Sequence, residues 1–156
     1  GGHNFNTSGQ TPAGNAFKLS LYSSASANLD GTTSQYTAPS DGTADPTNTY
    51  EVTSTSSGYA TGGKALTNQG VTGTSSTTTS FTDFADLSTA NGTSWTSATF
   101  TTYGCLIYNT TAVTGFTTNR SVCVVSFGGA KTVSNGTFSI EFPTASTSAA
   151  ILRITS

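Results

Sequence analysis

Two cysteines, one histidine and seven carboxylates are the side chains of this sequence that could run catalysis or hold a metal. Cys105 and Cys123 flank a segment that reads as a hairpin turn. If the hairpin is symmetric about Thr114, the two face each other on neighbouring strands. A cross-strand disulfide then needs only the right Cα spacing and a non-hydrogen-bonded pair. The other reading is two small buried thiols, and the lack of any visible secretory signature favours it. With a single distant histidine, the pair cannot complete a four-ligand zinc site. His3 lies in a Gly- and Asn-rich start and reads as an exposed terminal residue. A Ser-His-Asp triad or Cys-His pair needs the imidazole on a rigid scaffold, so a catalytic role is not expected.

The carboxylates are Asp30, Asp41, Asp45, Glu51, Asp83, Asp86 and Glu141. Glycoside hydrolysis needs two of them facing each other at about 5–9.5 Å, and no spacing here argues for such a pair. Asp41-Gly-Thr-Ala-Asp45 has the oxygen-rich look of a cation loop but lacks the ligand series and closing Glu of an EF-hand. An Asx-type turn accounts for it. No catalytic, cofactor-binding or metal-binding residue is assigned, and the chain is expected not to be an enzyme and to need no cofactor. N-x-Ser/Thr sequons at Asn6, Asn91, Asn109, Asn119 and Asn135 are expected by chance in a chain so rich in Ser and Thr. Tyr22, Tyr36, Tyr50, Tyr59, Tyr103, Tyr108 and Trp95 could form a sugar-stacking platform. Such residues more often cap a β core with their polar tips at its wet boundary.

The elements that would position these groups are strands. Ala16-Phe-Lys-Leu-Ser-Leu-Tyr22 alternates, with Phe17, Leu19 and Leu21 on one face and Lys18, Ser20 and Tyr22 on the other. Short strands are also expected at Thr49–Thr53, Lys64–Thr72, Ser76–Phe84, Thr137–Phe142 (stopped by Pro143) and Ala149–Ile154. The most apolar stretch is Ala98-Thr-Phe-Thr-Thr-Tyr-Gly-Cys-Leu-Ile-Tyr-Asn109, entered from Trp95. Val122-Cys-Val-Val-Ser-Phe127, closed by Gly128-Gly129, is its natural partner. Tyr103, Cys105 and Ile107 set one face of Ala98–Asn109, and Leu106 and Tyr108 the other. A strand apolar on both faces should be covered on both, which predicts a central position. Ser23–Asn48 reads as a long loop with an edge element near Gln35–Ala38, and such loops tend to make contacts.

Composition bounds the function. The chain has 156 residues, enough for one domain with a real core. Only 8% of residues are charged, against about 25% in an ordinary soluble domain. Ser, Thr, Asn and Gly take the place of charge. Nine Phe and six Tyr, with only four Pro, argue for a packed β protein over a disordered hydroxyl-rich stalk. Net charge is −2, and Lys18, Lys64, Arg120, Lys131 and Arg153 are scattered singly, which argues against nucleic-acid binding. No apolar run approaches the ~20 residues of a membrane helix. The fold class expected is all-β: a β-sandwich or jelly-roll-like domain of about eight strands over residues 16–156, with an extended N-terminal arm over 1–15.

The order of several segments resembles small Ser/Thr/Gly-rich structural proteins of tailed bacteriophages. The segments are Ala16-Phe-Lys-Leu-Ser-Leu-Tyr-Ser23, Tyr50-Glu-Val, Ser57-Gly-Tyr-Ala-Thr-Gly-Gly63, Phe84-Ala-Asp86, Ala98–Asn109, and Asn119-Arg-Ser-Val with a strand ending Phe127-Gly. The resemblance runs from about Ala16 to Thr155, and the order of the segments is its specific part. It implies a virion protein, a capsid decoration or cement protein that stabilises the assembled head. A tail or fibre component, or a carbohydrate-binding host-recognition module, is the alternative. It further implies the major capsid protein and copies of the chain itself as partners, a homo-oligomer in the particle, and a place on the capsid surface after synthesis in the host bacterial cytoplasm. The arm and the Ser23–Asn48 loop would be the working surfaces.

Overall fold

The computed structural model describes residues 2–24, 29–38, 50–54, 57–73 and 78–155. Those residues form seven strands and no helix: β1 (Phe17–Tyr22), β2 (Lys64–Leu66), β3 (Asn68–Thr72), β4 (Thr79–Phe84), β5 (Trp95–Asn109), β6 (Arg120–Phe138) and β7 (Leu152–Thr155). They assemble into two antiparallel sheets, a four-stranded one in the order β2-β1-β5-β6 and a three-stranded one in the order β3-β4-β7. This is an all-β architecture consistent with a β-sandwich.

The strands follow from local pattern. Phe17, Leu19 and Leu21 enter the larger core, while Tyr22 packs into a second cluster on the opposite face of the same sheet. β5 does the same with Cys105 and Ile107 on one side and Leu106 and Tyr108 on the other. Both faces of β1 and of the second half of β5, residues 105–109, are therefore covered. The first cluster unites β1, β2, β4 and β5 through Phe17, Leu66, Phe84 and Ile107. The second stacks Tyr36 on Tyr108 at 4.4 Å. A fully buried side chain of this size contributes about 1.5–3 kcal/mol, so the two clusters carry most of the cohesion.

β5 and β6 make a long hairpin, with Cys105 opposite Val125, Ile107 opposite Cys123, and Asn109 opposite Arg120. Gly128-Gly129 does not end the strand. Both glycines have positive φ, 69° and 148°, conformations that glycine takes at no steric cost. They lie between the Thr102–Lys131 and Gly104–Ser126 pairs, where the register shifts, and β6 continues to Phe138. This irregularity is a bulge within the strand.

Three expectations change. The run Lys64–Thr72 is two strands in different sheets, since the chain crosses at Thr67, whose carbonyl accepts Ala85 N–H at 2.9 Å. Of Thr49–Thr53, Glu51 makes only an isolated bridge to Tyr22, while Ile140 of Thr137–Phe142 bridges Leu87. Among the described residues the count is therefore seven, because Phe138 ends β6 and the segments at Glu51 and Ile140 are held by single bridges, not by ladders. The third change is at the N-terminus. Gly2–Asn15 folds back on the domain: Phe5 stacks on Phe17 at 4.8 Å with rings 2° apart, and Asn15 N–H donates to Asn4 O at 2.7 Å. In the single chain this segment is a docked flap, because Phe5 finds an aromatic partner and its asparagines saturate one another.

Candidate functional site

Polar side chains with chemical potential gather at three places. The first is around Glu51, which is 5% exposed. Its Oε1 accepts Tyr59 O–H at 2.8 Å and Gly62 N–H at 2.6 Å, and its Oε2 accepts Tyr36 O–H at 2.9 Å. Tyr108 O–H donates to the Gly62 carbonyl at 2.7 Å, and Tyr59 O also accepts Leu21 N–H at 3.0 Å. Burial raises the Glu51 carboxyl above its ordinary value, although the Tyr59 hydroxyl, the Gly62 amide, the Tyr36 hydroxyl and the Lys18 charge all oppose the rise. Burial, reinforced by the Glu51 charge, also raises Tyr36, Tyr59 and Tyr108. Phenols held this firmly in the protonated state are donors, not bases. The cluster ties the segments at 36, 51 and 59–63 to the sheet.

The second place is the seat of the N-terminal flap. Asn109, 0% exposed at the end of β5, has an Nδ2 that donates to Gly2 O at 3.0 Å and Asn15 Oδ1 at 2.9 Å and lies 3.1 Å from His3 Nδ1. Its Oδ1 accepts Thr111 N–H at 2.9 Å. Arg120, opposite it on β6, donates to the Gly2 carbonyl. Asn68 Nδ2 donates to Asn6 O at 2.8 Å and Asn15 O at 3.0 Å. A Cβ on Gly14 would run into the Asn6 carbonyl, so only glycine closes the flap there.

The third is a groove of about 540 Å³ lined by Phe81, Asp83, Asp86, Asn91 and Phe142, among others. Asp83, 2% exposed, accepts Phe84 N–H on Oδ1 at 2.8 Å, and no described residue gives its Oδ2 a well-aligned hydrogen bond. Burial raises its carboxyl, against the Phe84 and Ile151 amides and helped by the Asp86 charge. Asp86 Oδ1 accepts Phe142 N–H at 2.8 Å. Two carboxylates sit near each other here, yet no group of three or more His, Cys, Asp or Glu side chains suited to a metal occurs among the described residues.

The remaining sequence candidates are placed as follows. Cys105 and Cys123 are free thiols, offset along the hairpin instead of opposed. The offset arises because the register shifts between Ile107 and Tyr108 and the turn is not symmetric about Thr114. Burial raises Cys105 strongly and pushes Cys123 up to about 11, which makes both poor nucleophiles. His3 is not an exposed terminal residue but a partner of Asn109, with its ring 6.2 Å from that of Phe17. Asp30 is exposed and held below its usual range by the Thr32 hydroxyl and amide in a tight turn. Glu141 is exposed, and Asp41 and Asp45 lie outside the described residues.

The tyrosines proposed as a sugar platform are largely internal. Tyr22, Tyr36, Tyr59, Tyr108 and Trp95 are buried, and Tyr50 and Tyr103 are half-buried. The Asn109 sequon is buried in the flap seat and is no glycan acceptor in the folded chain. Sequence reasoning missed Asn15, Asn68 and Asn109 as a linked set; the one available signal was the density of asparagines around the solitary Phe5.

No helix among the described residues is long and apolar enough to cross a membrane. Comparison of the chain with protein-family models, with curated proteins and with solved structures finds no match.

Proposed function

We propose that the chain is a structural protein of a tailed-bacteriophage virion, a decoration or cement protein that binds the major capsid protein and copies of itself on the outside of the assembled head. One observation carries the reading. The polar groups best suited to chemistry are spent on holding segments together: Glu51 on three donors, Asn109 on the flap, the Cys105 thiol in the core and the half-buried Cys123 packed against it. A protein that stabilises an assembly contributes area and rigidity, because binding only the assembled state adds free energy by mass action. A neutral, hydroxyl-rich β block with few charges suits that task, and symmetric copies at a capsid axis would follow from closed point-group packing.

Phage particles carrying the chain, imaged by cryo-electron microscopy, test the proposal. It expects many copies in icosahedral register on the head, and heads stripped of the protein that rupture at lower temperature. A few copies at the tail or fibre, with no density on the shell, overturn it in favour of the host-recognition alternative. That alternative draws on the groove at Asp83, where aromatic rings and polar groups lie side by side as sugar recognition requires.

A further inference from the structure

The flap seat has a property that a merely structural contact would not need. The orientation of Asn109 is fixed from both ends: Oδ1 accepts the Thr111 amide, and Nδ2 reaches Gly2 O and Asn15 Oδ1, both acceptors. The atom that faces His3 Nδ1 at 3.1 Å is therefore the amide nitrogen, which shares its two hydrogens among three acceptors and has no lone pair to offer. Because that nitrogen cannot accept, Nδ1 presents its lone pair to it, which leaves the ring proton on Nε2. A second proton has only Nδ1 to go to. There it would set N–H against N–H₂, inside a pocket walled by Phe5 and Phe17.

We propose that His3 is an acid-sensitive latch: neutral, it locks the Gly2–Asn15 flap onto the sheet; protonated, it releases the flap and uncovers Phe17 and Phe84. The groups around the ring agree. From β6, Arg120 faces it, the only charged group acting on it among the described residues; β5 presents Asn109, and β1 presents Phe17. No carboxylate there would welcome an imidazolium. Burial first and the Arg120 charge second lower its affinity for protons, outweighing the Ser121 carbonyl. What leaves with His3 is substantial, since Phe5 sits 4.8 Å from Phe17 and 6.2 Å from Phe84. Release would bare an aromatic patch at the end of both sheets.

Because the chain has one histidine, ¹⁵N-labelled imidazole in the whole protein reports on His3 alone. Long-range ¹H–¹⁵N spectra from pH 8 to 4.5 should show the Nε2–H tautomer at neutral pH and a titration midpoint below the ordinary 6.5. Amide protection of residues 2–15, corrected for intrinsic exchange, should fall with the same midpoint, about tenfold in the docking equilibrium for each unit the midpoint is lowered. In His3→Gln the pH dependence of that protection should vanish. An Nδ1–H tautomer, a midpoint at or above 6.5, protection that survives protonation, or the same pH dependence in His3→Gln would each overturn the latch.

Discussion

At the scale of single residues, Glu51 governs more structure than any other charged group described, since three donors from two segments converge on it. Glu51→Ala would strand two phenol hydroxyls and an amide and should cost about 3 kcal/mol in urea unfolding. Glu51→Gln keeps an acceptor for Tyr59 and Gly62 and should cost only about 1 kcal/mol. Its carboxyl is raised in the fold, so between the ordinary value of 4.5 and the raised one the folded state holds the proton that the unfolded chain has lost. The contribution is full below 4.5 and fades as pH rises through the raised value. Glu51→Gln should flatten that decline, and a pH series of unfolding midpoints would reveal whether it does. The thiols give a second residue-scale test. With Cys105 buried and both pKa values elevated, Ellman's reagent at pH 8 should find almost no reactive thiol in the native protein and two after unfolding. Rapid native labelling of either would contradict the packing of β5 against β6.

Among the elements, β5 is decisive because its second half, residues 105–109, is buried on both faces. Leu106 and Ile107 point to opposite sides and are both 0% exposed. Leu106→Ala and Ile107→Ala should each cost about 2–5 kcal/mol in thermal or denaturant unfolding; a mild effect of either would mean that one face of the sheet is open. This central position was legible in the sequence, because adjacent apolar residues without alternation mark a strand covered twice. The alternation of β1 was legible too, but it reads as a half-buried strand, whereas Ser20 and Tyr22 on its polar face are 0% and 1% exposed because the second cluster covers them. Less visible was the register of β5 on β6, which depends on a one-residue shift beside Tyr108 that no hydrophobic pattern announces. The length of β6 was hidden by Gly128-Gly129, a pair that signals a turn in most sequences and makes a bulge in this one. The Glu51 cluster and the flap seat were illegible for a common reason. Both are built from hydrogen bonds between residues far apart in the chain, Asn68 to Asn6 or Tyr36 to Glu51, and such bonds leave no periodic trace.

For the molecule as a whole, residues 2–15 belong to the fold. Phe5 stacks against the core, and Asn4, Asn6 and Asn15 close the flap over it. Phe5→Ala should destabilise the protein by about 2 kcal/mol, measured by differential scanning calorimetry. An effect indistinguishable from zero would mean that the segment is a passive tail in solution. The same fit makes the flap the natural element to exchange with a neighbour in an assembly, since a segment that docks on its own sheet can dock identically on another copy.

The β5–β6 hairpin also dictates an order of events in time. Its partners are close in sequence, Asn109 facing Arg120 at the turn, whereas the partners in β1 and β5, and in β4 and β7, lie many tens of residues apart. Contacts between distant segments close large loops and form late. The hairpin should therefore form first, with β7 completing the smaller sheet late. Substitutions within the hairpin should slow refolding, while those in β7 should chiefly hasten unfolding.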